Sequence, residues 1–144
     1  MTNPHAYAQI LLDDCGSVVD AASLAAMAAL LHFRRPDVTV VGDSCVVHSI
    51  DERAPLALAI HHIPLCISFA MLGDRIIVDP SESEEAVASG LFTVVLNAHK
   101  EICSSFKTGA PWPRETIMLA ISSAIDLRAE RGKFLDEAVL AEPF

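Results

Sequence analysis

The chain has 144 residues, with 10 Lys and Arg against 19 Asp and Glu, which gives a net charge of −9. Such an acidic composition repels phosphate backbones, so it excludes nucleic-acid binding through overall charge, and an RNA contact would need a local basic patch. The hydrophobic fraction of 52% excludes a disordered chain and predicts a globular domain with a real core. The four cysteines are far apart, and we expect buried, reduced thiols.

The first part of the chain predicts a strand, a helix and a hairpin. Residues 7–12 have the pattern of a strand, and a turn at 13–16 leads to Ser17, a residue type that caps helices. Residues 18–33 are apolar and rich in alanine, which predicts a helix that is buried on most sides and stopped by Pro36. The β-branched residues of 38–41 and 45–48 predict a hairpin.

The rest of the chain predicts strands, a short helical turn and a longer helix. The strands are expected at 56–62, 65–72, 75–78, 91–96 and 101–106, and the helical turn at 82–88. Residues 113–131 repeat apolar side chains at helical spacing, with Gly132 as the expected end; the tail after Gly132 either extends the helix or frays. The fold class is therefore a mixed α/β (α+β) domain over residues 1–144. One β-sheet is covered by the buried Ala-rich helix and the C-terminal amphipathic helix.

An acid-rich loop follows the strand at 75–78. Asp79 ends that strand, and further carboxylates follow up to Glu85. One interpretation is an acid pair, Asp79 and Glu85, that performs general acid or metal chemistry. The other is a loop whose carboxylates stabilise the start of a short helix. We favour the second, and the residues alone leave both open.

Two pairs of adjacent side chains are candidate binding residues. His61 and His62 lie on a predicted strand, where neighbours point to opposite faces and do not share a metal ion, so we expect a structural role and no metal site. Arg34 and Arg35 end the first helix, where cations suit the helix dipole. They are interpreted either as capping or subunit-packing residues or as RNA contacts.

Several segments resemble known proteins. Residues 13–26, DDCGSVVDAASLAA, are similar to the glycine turn and helix that open the second half of RNase PH-type proteins. The strand and acid loop at 76–85 and the strands at 91–107 resemble the same family, so the resemblance covers about residues 8–127. Residues 32–38, HFRRPDV, and 61–70, HHIPLCISFA, resemble one subgroup, the eukaryotic exosome ring subunits of the ribosomal-RNA-processing protein forty-five type.

The resemblance implies a place in a ring of six RNase PH-like subunits that threads RNA for degradation from its 3′ end. Active members of the family carry two aspartates six residues apart, and here those positions hold Asp79 and Glu85. Because glutamate is one methylene longer, the resemblance implies vestigial acid positions, no catalytic residue and a non-catalytic structural role in RNA processing. The alternative is an RNase PH-like phosphorolytic 3′–5′ exoribonuclease.

The resemblance also implies partners and a location. The expected partners are other RNase PH-like ring subunits, cap proteins, and RNA through the assembled complex, with no cofactor and no membrane. The expected location is the nucleus, including the nucleolus, and the cytoplasm. Family members are about twice this length, so the chain corresponds to their C-terminal half. We therefore expect exposed apolar surface and a homodimer when the chain is isolated.

Overall fold

The computed structural model describes residues 15–140, so the strand predicted at 7–12 lies outside the described residues. Within that range the chain forms three helices and eight strands. The helices are α1 (Val18–His32), α2 (Glu82–Val87) and α3 (Arg114–Leu140). The strands are β1 (Arg34–Arg35), β2 (Val38–Val41), β3 (Ser44–Val47), β4 (Leu56–Ala57), β5 (Leu65–Leu72), β6 (Arg75–Val78), β7 (Gly90–Leu96) and β8 (Ile102–Gly109).

The main sheet is antiparallel and has the strand order β6-β5-β7-β8. Two further pairs, β1–β4 and β2–β3, stand apart as two-stranded sheets, so the prediction of a single sheet is wrong. The strand predicted at 56–62 shrinks to Leu56–Ala57, and residues 58–64 have irregular backbone. Pro64 lies at the end of this stretch, where its missing N–H withholds a donor from a strand ladder.

The core lies between the main sheet and α3. Alternate residues of β5 and β7, including Phe69 and Val94, are buried against Ala120 and Ala124 of the helix. The small alanine side chains let the helix backbone approach the sheet closely. The apolar stripe predicted for this helix is therefore confirmed as core.

Helix α1 contacts the opposite face of β5, and it is less buried than the sequence predicts. Only Asp20 and Met27 are fully buried, and Val19 is 47% exposed. A helix that packs on one sheet buries only the side chains that face the sheet. Side chains on its other side stay exposed even when they are apolar. The alanines of the outer side thus remain at the surface.

Helix α3 is longer than predicted and passes through Gly132 to Leu140. A Cβ atom at Gly132 would meet the guanidinium of Arg128, so glycine leaves room for that side chain. Of the two alternatives for the tail, the helical extension is the one observed. Among residues 15–140, no helix has the length and apolarity needed to cross a membrane.

The four cysteines are free, as expected, but Cys15, Cys45 and Cys103 are exposed and only Cys66 is buried. Cys45 and Cys103 lie on β3 and β8, where no layer covers them. The expectation of buried thiols holds for Cys66 alone.

Candidate functional site: the acid loop and the start of helix α1

The acid loop begins where β6 ends. Asp79 has a φ of 55°, in the left-handed region that aspartate tolerates better than most residues. Its backbone N–H donates to the carbonyl of Ser68 at 3.1 Å, which holds the loop to β5. Its carboxylate is exposed and lies 3.6 Å from the guanidinium of Arg131.

The next acidic residues cap helix α2. The carboxylate of Glu84 accepts hydrogen bonds from the backbone N–H of Ser81 at 2.8 Å and from its hydroxyl at 2.7 Å. These two hydrogen bonds, the backbone one first, hold the pKa of Glu84 below its ordinary value. This arrangement is a capping box, and it matches the interpretation of the loop as a helix start.

Glu85 reaches from α2 to the start of α1. Its carboxylate accepts a hydrogen bond from the backbone N–H of Ser17 at 2.9 Å. Ser17 was expected to cap α1 with its own hydroxyl, but its side chain makes no capping hydrogen bond because the residue has a φ of 53°. The carboxylate supplied by Glu85 satisfies a free N–H there and suits the positive end of the helix dipole.

Gly16 permits this close approach. Its φ is +104°, and a Cβ atom would meet the carbonyl oxygen of Pro80 and the backbone nitrogen of Glu82. The backbone N–H of Glu82 also donates to the carbonyl of Cys15 at 2.9 Å. The acid loop and the start of α1 are therefore one connected unit.

A buried carboxylate that sequence reasoning missed lies next to this unit. Asp20, on α1, is 3% exposed. It accepts hydrogen bonds from the backbone N–H of Ser68 at 2.9 Å, from its hydroxyl at 2.5 Å, and from the guanidinium of Arg131 at 2.6 Å. The hydroxyls of Ser68 and Thr93 are 2.8 Å apart and continue the network into β7.

Arg131 links the buried network to the acid loop. Its guanidinium contacts Asp20 and Asp79 and also donates to the carbonyl of Cys66 at 2.9 Å. A buried ion pair of this kind holds several elements in one geometry, because removal of one partner leaves an unpaired buried charge. The sequence signal was an aspartate within an Ala- and Val-rich helix, a residue type that is rarely buried unless it is paired.

A cleft of about 190 Å³ lies beside the unit. Hydroxyls of Ser17, Ser68, Thr93 and Thr108 and the carboxylate of Glu85 line it together with apolar side chains such as Phe106. The hydroxyl oxygen of Ser17 is buried and has no hydrogen-bond partner among the described residues. The cleft therefore offers hydroxyls and one carboxylate, and its lining contains no Lys or Arg.

The two predicted acid positions thus have separate partners. Asp79 contacts Arg131, whereas Glu85 is bound to the start of α1. Residues 15–140 contain no group of three or more His, Cys, Asp or Glu side chains arranged to hold a metal ion.

The other candidate residues lie away from the acid loop. The guanidinium of Arg34 donates to the carbonyls of Leu31, His32 and Phe33 at 2.7–3.1 Å, which is a capping arrangement, and Arg35 is exposed on β1. His61 and His62 lie in irregular backbone, so the prediction that they occupy a strand is wrong. The ring of His62 instead lies near that of His99.

Comparison with known proteins agrees with this fold. Residues 62–126 match the model of the 3′ exoribonuclease family, domain 2. This part of the chain is similar to the second domain of RNase PH-type proteins. The match contains strands β5 to β8, the acid loop and the first part of α3. The resemblance that the sequence analysis noted is thereby confirmed.

Similar curated proteins are exosome components. The chain is 50% identical over 101 residues to exosome complex component RRP45 of Bos taurus, a match that covers 69% of the chain and 23% of the relative. It is 43% identical over 137 residues to exosome complex component RRP45A of Arabidopsis thaliana, covering 91% of the chain and 45% of that relative. The matched part of the chain therefore spans 23% and 45% of the length of these two relatives.

Solved structures of related architecture include archaeal exosomes. A structure described as an archaeal exosome core superposes with a TM-score of 0.67 and 25% identity. The match covers 85% of the present chain and 47% of the archaeal one. The Archaeoglobus fulgidus exosome with RNA bound to the active site also superposes with a TM-score of 0.67 and 25% identity. This match covers 85% of the present chain and 45% of the Archaeoglobus one. The predicted fold class is confirmed by this likeness.

Proposed function

We propose that this chain serves as the second-domain part of a non-catalytic exosome ring subunit. In this role it supports 3′–5′ RNA processing and degradation, including rRNA processing and mRNA turnover. Its partners are other RNase PH-like ring subunits and cap proteins, and it meets RNA through the assembled complex. Its location is the nucleus, including the nucleolus, and the cytoplasm.

The observation that carries the proposal is the position of Glu85. This residue occupies the second family acid position, and its carboxylate is bound to the backbone N–H of Ser17 at 2.9 Å. One oxygen of this carboxylate is thereby held at the start of α1, which favours a structural role for Glu85. The names of the curated relatives, exosome components in cattle and Arabidopsis, support the assembly role.

The second candidate is a phosphorolytic 3′–5′ exoribonuclease. The exposed carboxylate of Asp79 favours it, since this acid position is retained and accessible. Against it stands the lining of the neighbouring cleft, which offers a carboxylate and no cation to an incoming phosphate. Inorganic phosphate in this cleft would therefore lie next to a carboxylate, and the guanidinium of Arg131 is already paired with Asp20 and Asp79.

Two measurements on the full 144-residue chain test these candidates. The first is co-purification of the chain with co-expressed RNase PH-like ring subunits, which we expect to succeed. The second is phosphate-dependent release of nucleoside diphosphates from single-stranded RNA, which we expect to be absent for both the natural chain and Asp79→Asn. Release that needs phosphate and disappears in Asp79→Asn would establish the second candidate, and failure to associate with any ring subunit would refute the first.

A further inference from the structure

Four cationic or imidazole side chains gather where β7 turns into β8. We call them the turn cluster: His62, His99, Lys100 and Arg128. The rings of His62 and His99 have centroids 6.4 Å apart and an interplanar angle of 83°. Lys100 and Arg128 line one small cleft of about 40 Å³, which also includes Asn97.

The backbone holds these side chains at the surface. Lys100 has a φ of 66° in the turn, where its N–H donates to the carbonyl of Asn97 at 3.2 Å. Arg128 donates through one Nη atom to the carbonyl of Ile63 at 2.9 Å, which ties α3 to the segment carrying His62. The position of the cluster is therefore set by α3 and the β7–β8 turn together.

No ion pair between described residues includes Lys100 or Arg128, and the buried Nε atom of Arg128 donates to no acceptor among them. Burial lowers the pKa of Arg128, which indicates a guanidinium that is only partly hydrated. The carboxylate of Asp136 acts on Arg128 and favours its charged form, and the carboxylate of Glu101 accepts a hydrogen bond from the side chain of Asn97 at 2.6 Å.

Four other cations of the chain are engaged. Arg53 pairs with Asp37, and Arg131 pairs with Asp20 and Asp79. Lys107 donates to backbone carbonyls, as does Arg34. In a chain with a net charge of −9, the turn cluster thus brings two cations and two aromatic rings together.

We propose that the turn cluster binds one nucleotide of single-stranded RNA, an inference that rests on the proposed exosome role. Lys100 and Arg128 contact the phosphodiester, and the exposed rings of His62 and His99 stack on the base. Cations that follow a backbone, combined with aromatic rings for bases, are the usual features of single-strand binding. The volume of the cleft, about 40 Å³, leaves room for about one water molecule. The phosphate therefore lies at the mouth of the cleft, and the contact is weak.

Fluorescence anisotropy with a labelled oligouridine, measured over a series of salt concentrations, tests the proposal on the full chain. Lys100→Gln should weaken binding and reduce the slope of log affinity against log salt by about 0.7, the value for one phosphate contact on a single strand. His99→Ala should weaken binding about five-fold or more with the slope unchanged, because stacking is not a charge contact.

Arg75→Gln is the matched control. Arg75 is exposed on β6, at the other edge of the main sheet, and its removal changes net charge by the same amount. Affinity and slope should remain those of the natural chain. Circular dichroism and urea unfolding confirm that each variant is folded.

Three outcomes would overturn the proposal. The first is no RNA binding by the natural chain at low salt, and the second is the same slope for Lys100→Gln and Arg75→Gln. The third is that Lys100→Gln and His99→Ala both keep RNA affinity but lose co-purification with ring subunits. That result would assign the turn cluster to a protein interface. Co-purification of the natural chain tests the proposed function separately, so the two can fail independently.

Discussion

Two antiparallel strand pairs in this chain differ in burial. In the β2–β3 pair no residue is buried, and Val40 and Val47 are 71% and 61% exposed. In the β5–β7 pair, Ile67 and Val94 are both 0% exposed. Both pairs are antiparallel and both contain β-branched residues, so these two features do not decide burial. The layers above and below each pair do: β5 lies between α1 and α3, whereas β2–β3 projects from the domain.

The difference indicates different roles for the two pairs. β5–β7 stabilises the domain and positions the acid loop and the turn cluster. The exposed valines of β2–β3 form an apolar surface, and surfaces of this kind often mark contacts with other proteins. The following predictions test this division, beginning with the largest expected effect.

One substitution made in both pairs gives the sharpest test. Val94→Ala should lower the free energy of unfolding by about 2–3 kcal/mol, because it removes two methyl groups from a packed core and leaves a cavity. Val46→Ala, at a position 50% exposed, should change it by less than about 0.5 kcal/mol. Urea unfolding measures both. Equal effects would show that β2–β3 is part of the core in solution.

Self-association tests the role of the β2–β3 surface. We expect the isolated chain to form a homodimer, and Val40→Lys combined with Val47→Lys should shift it to monomer, because burying two lysines opposes association. Light scattering over a range of concentrations measures the change. Val19→Lys, at the outer side of α1, is the control and should leave the dimer intact. A natural chain that stays monomeric at high concentration, or a dimer that dissociates only in Val19→Lys, would contradict the prediction.

The smallest expected effect concerns an ion pair at the base of β2. Arg53 donates to the carboxylate of Asp37 at 2.9 Å and, with the backbone N–H of Val38, holds the pKa of Asp37 below its ordinary value. A lowered folded-state pKa means that the stabilisation is present above the unfolded-state pKa and is lost as pH falls through the folded-state pKa. Because the pair lies at the surface, water screens it and the effect on stability is small.

Arg53→Gln should therefore raise the pKa of Asp37 toward its ordinary value, as followed by NMR titration. The slowest-exchanging amides of β5 and β7 should keep their protection in the same variant. Arg75→Gln is the control and should leave the pKa of Asp37 unchanged. A pKa of Asp37 that does not respond to Arg53→Gln would show that the pair does not form in solution.

Local pattern predicted most of the elements correctly. Alternation of apolar residues, turn glycines and helical periodicity located β5, β6, β7 and the first part of α3, since these signals act between neighbours in the chain. The long similar segments also indicated the family resemblance from the sequence alone. The prediction that Gly132 ends α3 is wrong, because the helix continues through it to Leu140 and the glycine leaves room for the guanidinium of Arg128.

Only the tertiary structure revealed the working contacts of the candidate site. Asp20 and Arg131 are 111 residues apart in the chain, and Glu85 and Ser17 are 68 apart. The turn cluster likewise joins side chains from the β7–β8 turn, α3 and the segment before β5. The sequence by itself determined which elements form and which family they resemble, through interactions between near neighbours. Which charges are paired, buried or left available was decided by packing between distant elements, because burial and electrostatic pairing depend on separation in space and not on separation along the chain.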